Sequence, residues 1–248
     1  MHLLAGAVDY SHMSPVAVLT ADVVKSTRYG PSERRELHDL LLETFSAAAE
    51  KFPAAWATSL TFSITAGDEF QGVIADVSAA FRILVYVRAE LAMSALSSIP
   101  ELRAGIGLGS VTVPGGTSSW EQDGPAFVRS RRALESLKKS RREWRRTAIV
   151  TGDRHRDGAL AAVLGLCDHI QQRWTQPQWQ AIHHTIEGAK TKEVASRLGI
   201  ARQNVTKRLQ AAGWPAVDAA MTHVACSLTQ VEYDERDSRS EPRIGGQR

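Results

Sequence analysis

The spacing of apolar residues in this 248-residue chain changes several times, and each change marks an element. Val16-Ala17-Val18-Leu19 is an unbroken apolar run that ends at Thr20-Ala21-Asp22, the pattern of a short buried strand. Pro31 then opens an amphipathic helix with Leu37, Leu40, Leu41, Phe45 and Ala48 on one face, and Pro53 ends it. Apolar-rich segments at 60–64 and 70–74 flank Gly67-Asp68 and read as the arms of a hairpin over about residues 59–75. A second helix, roughly 77–97, carries Phe81, Leu84, Val85, Val87, Leu91 and Leu96 before Pro100 breaks it. Residues 102–113 read as a strand with alternating glycines at Gly105, Gly107 and Gly109. A glycine-rich loop, 114–124, leads into a basic helix near 125–140, and 146–150 reads as a final strand.

The order β-α-β-β-α-β is the split βαβ motif. It predicts an α/β (α+β) protein with a ferredoxin-like, four-stranded antiparallel sheet and its helices on one face. The first strand is then central, beside the strand bearing Asp68. A doubly wound parallel sheet is the alternative, but a parallel connection needs about a dozen residues where Gly67-Asp68 leaves room only for a turn. Beyond residue 175, Trp179, Ile182, Ile186, Val194, Ala195, Leu198, Ile200, Val205 and Leu209 recur at helical spacing. The chain therefore divides into a leader (1–14), an α/β domain (15–152), a linking helix (153–175), an all-α domain (176–222) and a partly disordered polar tail (223–248).

Composition narrows the setting. An apolar share of 43% is enough for a packed core, and a net charge of +3 is too mild to point to nucleic acid by itself. Two cysteines, Cys167 and Cys226, lack metal-ligand spacing and fit a reducing cytoplasm. The first residues show no basic n-region with a long apolar stretch, so no secretory signal is expected. No apolar run approaches the roughly 18–20 residues that span a bilayer, so no membrane partner is expected. The charge is unevenly placed: Arg129, Arg131, Arg132, Lys138, Lys139, Arg141, Arg142, Arg145 and Arg146 crowd one stretch, opposed only by Glu135 and Glu143. These cations reach phosphates, line a DNA backbone, or form a solvated face.

The candidate chemistry centres on two aspartates. Asp22 and Asp68 both sit at strand ends beside turns, on strands predicted to be neighbours. Together they are placed to hold Mg²⁺ or Mn²⁺, since such hard cations take one or two carboxylates plus substrate phosphates. Lys25, Ser26 and Thr27 follow Asp22 in a turn whose backbone N–H groups suit phosphate. The partner is then a nucleoside triphosphate or another nucleotide. Either aspartate alone reads as well as a cap or a turn residue. Glu69 alternates to the face opposite Asp68 and is either a third carboxylate or solvent-facing. Asp123 reads as a helix cap. Gly105, Gly107 and Gly109 lie within a strand, so they indicate close helix packing or a bulge rather than a dinucleotide fingerprint.

The segment from Thr191 to Leu209 has a helix-turn-helix pattern: small Ala195, a turn at Gly199, and a shared core of Val194, Leu198, Ile200, Val205 and Leu209. Its second helix presents Arg202, Gln203, Asn204, Thr206, Lys207 and Arg208, residue types that read bases or hold phosphates, which makes DNA a partner. A packing or dimerisation module is the alternative. Trp174, Trp179 and Trp214 read as core, and His183 and His184 have no third metal ligand at useful spacing.

Asp22-Val23-Val24-Lys25-Ser26-Thr27 resembles the D-I-x-G-S-T segment of class III nucleotidyl cyclases, and Gly67-Asp68 resembles their second metal-binding G-D. Ala66-Gly67-Asp68-Glu69-Phe70 is similar to the signature of GGDEF diguanylate cyclases, and 103–109 to the cyclase R-x-G-I-x-x-G strand. The series LTADVVKS, ITAGDEFQG, LRAGIGLGSV and DGPAF, with a helix-turn-helix of the sigma region-four type, resembles the SatD family over about residues 15–213. The resemblance implies Asp22, Asp68 and Arg132 as catalytic. It also implies nucleotide contacts at Val23, Val24, Lys25, Ser26, Thr27, Gly67, Glu69 and Arg103, and a homodimer. Two positions depart from the cyclase pattern: Ile64 stands at the base-reading lysine and Val128 at the transition-state asparagine. The expected function is a DNA-binding regulator with a metal–nucleotide site; the alternative is a Mg²⁺-dependent cyclase or nucleotide hydrolase.

Overall fold

The computed structural model describes residues 15–56, 63–66, 68–94, 99–111, 123–142 and 144–231. The expected leader, Gly67, the glycine-rich loop up to residue 122 and the tail from 232 lie outside them. Five strands, β1 (Val16–Val23), β2 (Ser63–Ala66), β3 (Glu69–Ile74), β4 (Leu102–Gly109) and β5 (Thr147–Val150), form one sheet in the order β2-β3-β1-β4-β5. β1 is central and pairs antiparallel with β3 (Ala21 opposite Phe70) and with β4 (Asp22 opposite Arg103). β5 joins β4 in parallel, so the sheet is mixed and five-stranded rather than four-stranded and antiparallel. A helix separates β4 from β5 and supplies the crossover that a parallel pair requires.

Alternation along the strands sends residues to two different layers. Ala17, Leu19, Ala21 and Val23 of β1 and Ala104, Ile106 and Leu108 of β4 join the main core with α1 (Pro31–Lys51) and α2 (Ala80–Ala92). α1 starts where Glu33 accepts a hydrogen bond from the Gly30 N–H and Pro31 fixes the first turn. α2 begins later than the pattern suggests, because Asp76 caps a 3₁₀ turn, Val77–Ala79, ahead of it.

The opposite face carries Val18, Thr20, Asp22, Arg103 and the three glycines, and it is covered by α3 (Pro125–Lys138). A Cβ at Gly107 would strike Ser130 N and Ala126 O, and one at Gly105 would strike Ser130 O and Leu134 N. The glycines are therefore a landing strip for a helix backbone. The two helices of the βαββαβ motif, α1 and α2, share one face as expected, and α3, which follows the fourth strand, covers the other. Under α3, Gln71 donates to Thr20 Oγ1 at 2.9 Å, and Thr20 and Ser130 share a hydroxyl bond of 2.8 Å.

The helix expected over 153–175 is α4 (Arg154–Gln171), which is capped by Asp153 and packs on β5. Its Asp168 is fully buried. It accepts from the Arg146 and Thr147 N–H groups at 2.7 and 2.8 Å, from Thr147 Oγ1 at 2.7 Å, and from Arg88 at 3.4 Å. Four further helices follow: α5 (Gln176–Ile186), α6 (Thr191–Leu198), α7 (Arg202–Ala211) and α8 (Trp214–Thr229). Gly199 and Gly213 take left-handed backbone (φ 63° and 64°) at the α6–α7 and α7–α8 turns. α8 continues through residues 223–229, the first part of the expected tail, where Val224 and Leu228 are buried. Trp174, Trp179 and Trp214 pack together in the core as expected.

Gly107→Ala is expected to force α3 off β4 and destabilise the chain by about 1–3 kcal/mol or more, seen as a lower urea midpoint. Gly158→Ala in α4, where an added Cβ meets nothing within 4 Å, is expected to raise stability by about 0.5–1 kcal/mol.

Candidate functional site

Asp22 lies at the end of β1 where α3 finishes its run across the glycines. Its carboxylate is 6% exposed. Arg103, its partner across the β1–β4 ladder, grips it with a bidentate pair: Nε to Oδ1 at 2.9 Å and Nη2 to Oδ2 at 3.0 Å. Lys138, the last residue of α3, brings Nζ to 3.3 Å from Asp22 Oδ2 and 3.4 Å from Glu69 Oε2, with Glu135 at 3.5 Å. Two carboxylates from neighbouring strands thus converge on one ammonium group. Burial pulls the Lys138 pKa down, but Asp22, Glu69 and Glu135 outweigh it and hold it above the ordinary lysine value.

The expected site residues separate into groups. Asp22, Glu69 and Arg103 meet. With Ala21 opposite Phe70, the register sets Glu69 near Asp22 on the α3 face, where both meet Lys138. Asp68 sits half-buried in the turn just before β3. Val23 is buried in the main core and Val24 is half-buried, its N–H bonded to Glu101 O. Lys25 and Thr27 are exposed and Ser26 half-buried, next to and within a 3₁₀ turn, Ser26–Arg28. Lys25 holds a left-handed backbone (φ 59°) at the position where the resembling cyclase segment has glycine. Non-glycine residues in that region carry strain of about 1–3 kcal/mol and cluster at ligand sites.

Arg132 is exposed and pairs with no described residue, whereas Lys138 stands over Asp22. Sequence reasoning placed Lys138 in the basic stretch without a role. The usable signal was the glycine alternation: once read as a helix track, it fixes which end of α3 lies above Asp22. Val128 is exposed and Ile64 half-buried.

On α7, Arg202, Gln203, Asn204, Thr206 and Lys207 are exposed, and Arg208 is half-buried with Nη1 3.5 Å from Pro177 O. Val205 alone of the helix is buried, against Val194 and Ala195 of α6.

The Lys138 arrangement has a pH signature. Its folded pKa is raised, so its contribution to stability is complete below the ordinary lysine value of about 10.5 and is lost as pH rises through the folded value. Denaturation of wild type and Lys138→Met between pH 7 and 11.5 is expected to show a less stable variant, with a gap that holds to about pH 10.5 and closes above it.

The chain is similar to the active GGEEF domain of a diguanylate cyclase from Vibrio cholerae, with 20% identity and a TM-score of 0.35 over 55% of this chain and 83% of that one. It is also similar to a bacterial light-regulated adenylyl cyclase, with 16% identity and a TM-score of 0.40 over 56% of this chain and 43% of that one. No curated protein matches the sequence. No helix among the described residues is long and apolar enough to cross a membrane. The SatD family model matches residues 16–217, and the chain belongs to the SatD family.

Proposed function

We propose that this protein is a nucleotide-responsive DNA-binding regulator: a metal–nucleotide site at Asp22 is fused to a helix-turn-helix whose reading helix is α7. The observation that carries the nucleotide half is the convergence of Asp22 Oδ2 and Glu69 Oε2 on a single cation, Lys138 Nζ. Oxygen donors so arranged suit Mg²⁺ or Mn²⁺. Asp22 and Glu69 would hold the ion, with Asp68 in the adjoining turn as the further carboxylate. The ion would neutralise phosphate charge. Lys138, released from the carboxylates, and Arg103 then have phosphate oxygens as partners. The Lys25, Ser26 and Thr27 N–H groups donate to no described residue, which leaves them for phosphate. For DNA, the support is an exposed row of Arg202, Gln203, Asn204, Thr206 and Lys207 on a helix anchored through Val205.

The enzymatic alternative, a Mg²⁺-dependent nucleotidyl cyclase or hydrolase, gains from Arg103 and Lys138, cations placed where phosphate charge would develop. Ile64 and exposed Val128 stand where the cyclase pattern has functional side chains, so turnover would need groups from a second copy in a homodimer. We favour the regulator for that reason.

The test is thermal stabilisation by ATP, GTP and cyclic dinucleotides with Mg²⁺ or Mn²⁺, together with DNA affinity. A metal-dependent shift in wild type that Asp22→Ala abolishes is expected, as is a change in DNA affinity when nucleotide is added. Lys207→Ala is expected to lower the salt dependence of DNA binding by about one ion. Nucleotide binding with product formation would favour the enzyme. No shift with any nucleotide would remove the site, and no DNA binding would remove the regulator.

A further inference from the structure

Away from Asp22, four helices, α1, α2, α5 and α6, meet at a second polar cluster. His183 and His184 lie side by side on α5, and Glu187 follows at its C-terminal end. His183 Nδ1 and His184 Nδ1 are 3.4 Å apart, and His184 Nδ1 is 3.1 Å from Glu187 Oε2. Among the described residues, these are the histidine and acidic side chains whose ligand atoms gather as a group of three within 4.8 Å. Sequence analysis left the two histidines without a third ligand; Glu187 at the end of α5 supplies it.

We propose that His183, His184 and Glu187 form a binding site for a transition-metal ion of the Zn²⁺ type. Three observations point to it. The first is size: an ion about 2.0–2.1 Å from each ligand in tetrahedral geometry sets ligand atoms about 3.3–3.4 Å apart, close to the two spacings seen. The second is tautomer. His183 Nε2 lies 2.7 Å from Glu90 Oε1, which also accepts from the Tyr86 hydroxyl at 2.7 Å. With its Nε2–H turned to Glu90, His183 keeps an Nδ1 lone pair directed into the cluster, whereas His184 Nδ1, which donates to Glu187, releases its proton to solvent when the ion binds. A carboxylate holding the far nitrogen of a metal-binding histidine is the usual supporting contact at such sites. Stacking on Tyr86, with centroids 5.2 Å apart, fixes the ring further. The third is donor type: two imidazoles and one carboxylate suit Zn²⁺, not the Mg²⁺ that the all-oxygen Asp22 end would take.

The same oxygen of Glu187 also accepts from Arg197 Nη1 at 2.7 Å, while Lys51 Nζ sits 3.3 Å from the other oxygen. Arg197 therefore competes with the metal. It belongs to α6, and its side chain is 49% exposed, so it is free to swing out while Lys51 stays. Metal loading would exchange an α5–α6 ion pair for a metal bridge within α5, loosening the grip on the helix that supports α7.

The test is Zn²⁺ titration of the full chain against a chromophoric chelator, without nucleotide, with folding followed by circular dichroism. Wild type is expected to bind one Zn²⁺, and Asp22→Ala to bind it equally, which separates this site from the nucleotide site. His184→Ala is expected to weaken binding at least tenfold. Glu90→Gln, which removes no ligand, is expected to weaken it by about 10–100-fold. Arg197→Ala is expected to tighten it by removing the competitor, the reverse of what a purely structural ion pair gives. Unchanged affinity in His184→Ala, no stoichiometric Zn²⁺, or weaker binding in Arg197→Ala would overturn the proposal.

Discussion

The backbone of α3 lies directly on β4, and the candidate site depends on that closeness. Side chains on both surfaces would hold a helix about 10 Å above a sheet. Here Gly105, Gly107 and Gly109 remove one set, and Ser130 and Ala126 occupy the vacated space. The helix is lowered and its direction fixed along the strand, so that its last residue ends above Asp22. Without that descent, Lys138 would not reach both Asp22 and Glu69 from a neighbouring layer. The glycines contribute no atom to the site, yet they set its height.

Electrostatics explains why the arrangement holds. Asp22 is nearly removed from water, which is unfavourable for a lone carboxylate. The bidentate Arg103 contact and the Lys138 ammonium offset that loss, and loss of either cation would leave a buried charge partly unmatched. Asp168 in α4 is a second case. It is fully buried and held by donors from Arg88 of α2 and from Arg146 and Thr147 at the start of β5.

Much of this was legible in the chain. The apolar run of β1, the capped start of α1, the hairpin around Gly67-Asp68 and the core tryptophans follow from local rules. Asp22 at the end of β1 was legible too, whereas the carboxylate that shares Lys138 with it is Glu69 and not the expected Asp68. The misses were tertiary. Periodicity does not say which face of a sheet a helix will cover, so the face taken by α3 was left open. Strand alternation identifies the face of Glu69 relative to Asp68 but not relative to Asp22, which requires the β1–β3 register. Lys138 was one of nine basic residues in a stretch, and only the track under α3 distinguishes it. Glu187 stands three residues after His184, ordinary helical spacing, and was overlooked because the search for a third ligand did not include carboxylates.

The main apolar cluster does not stop at the α/β layer. It runs from Leu19 and Phe70 through Phe81 and Leu84 of α2 to Leu164, Trp179, Ile182, Val217 and Leu228. α2 buries all but Arg82 and Glu90, because the sheet lies under one flank and α5 and α8 lie against the other. A truncation inside α2 would therefore open a void bordered by the sheet and by the helical layer at once, and loosen both.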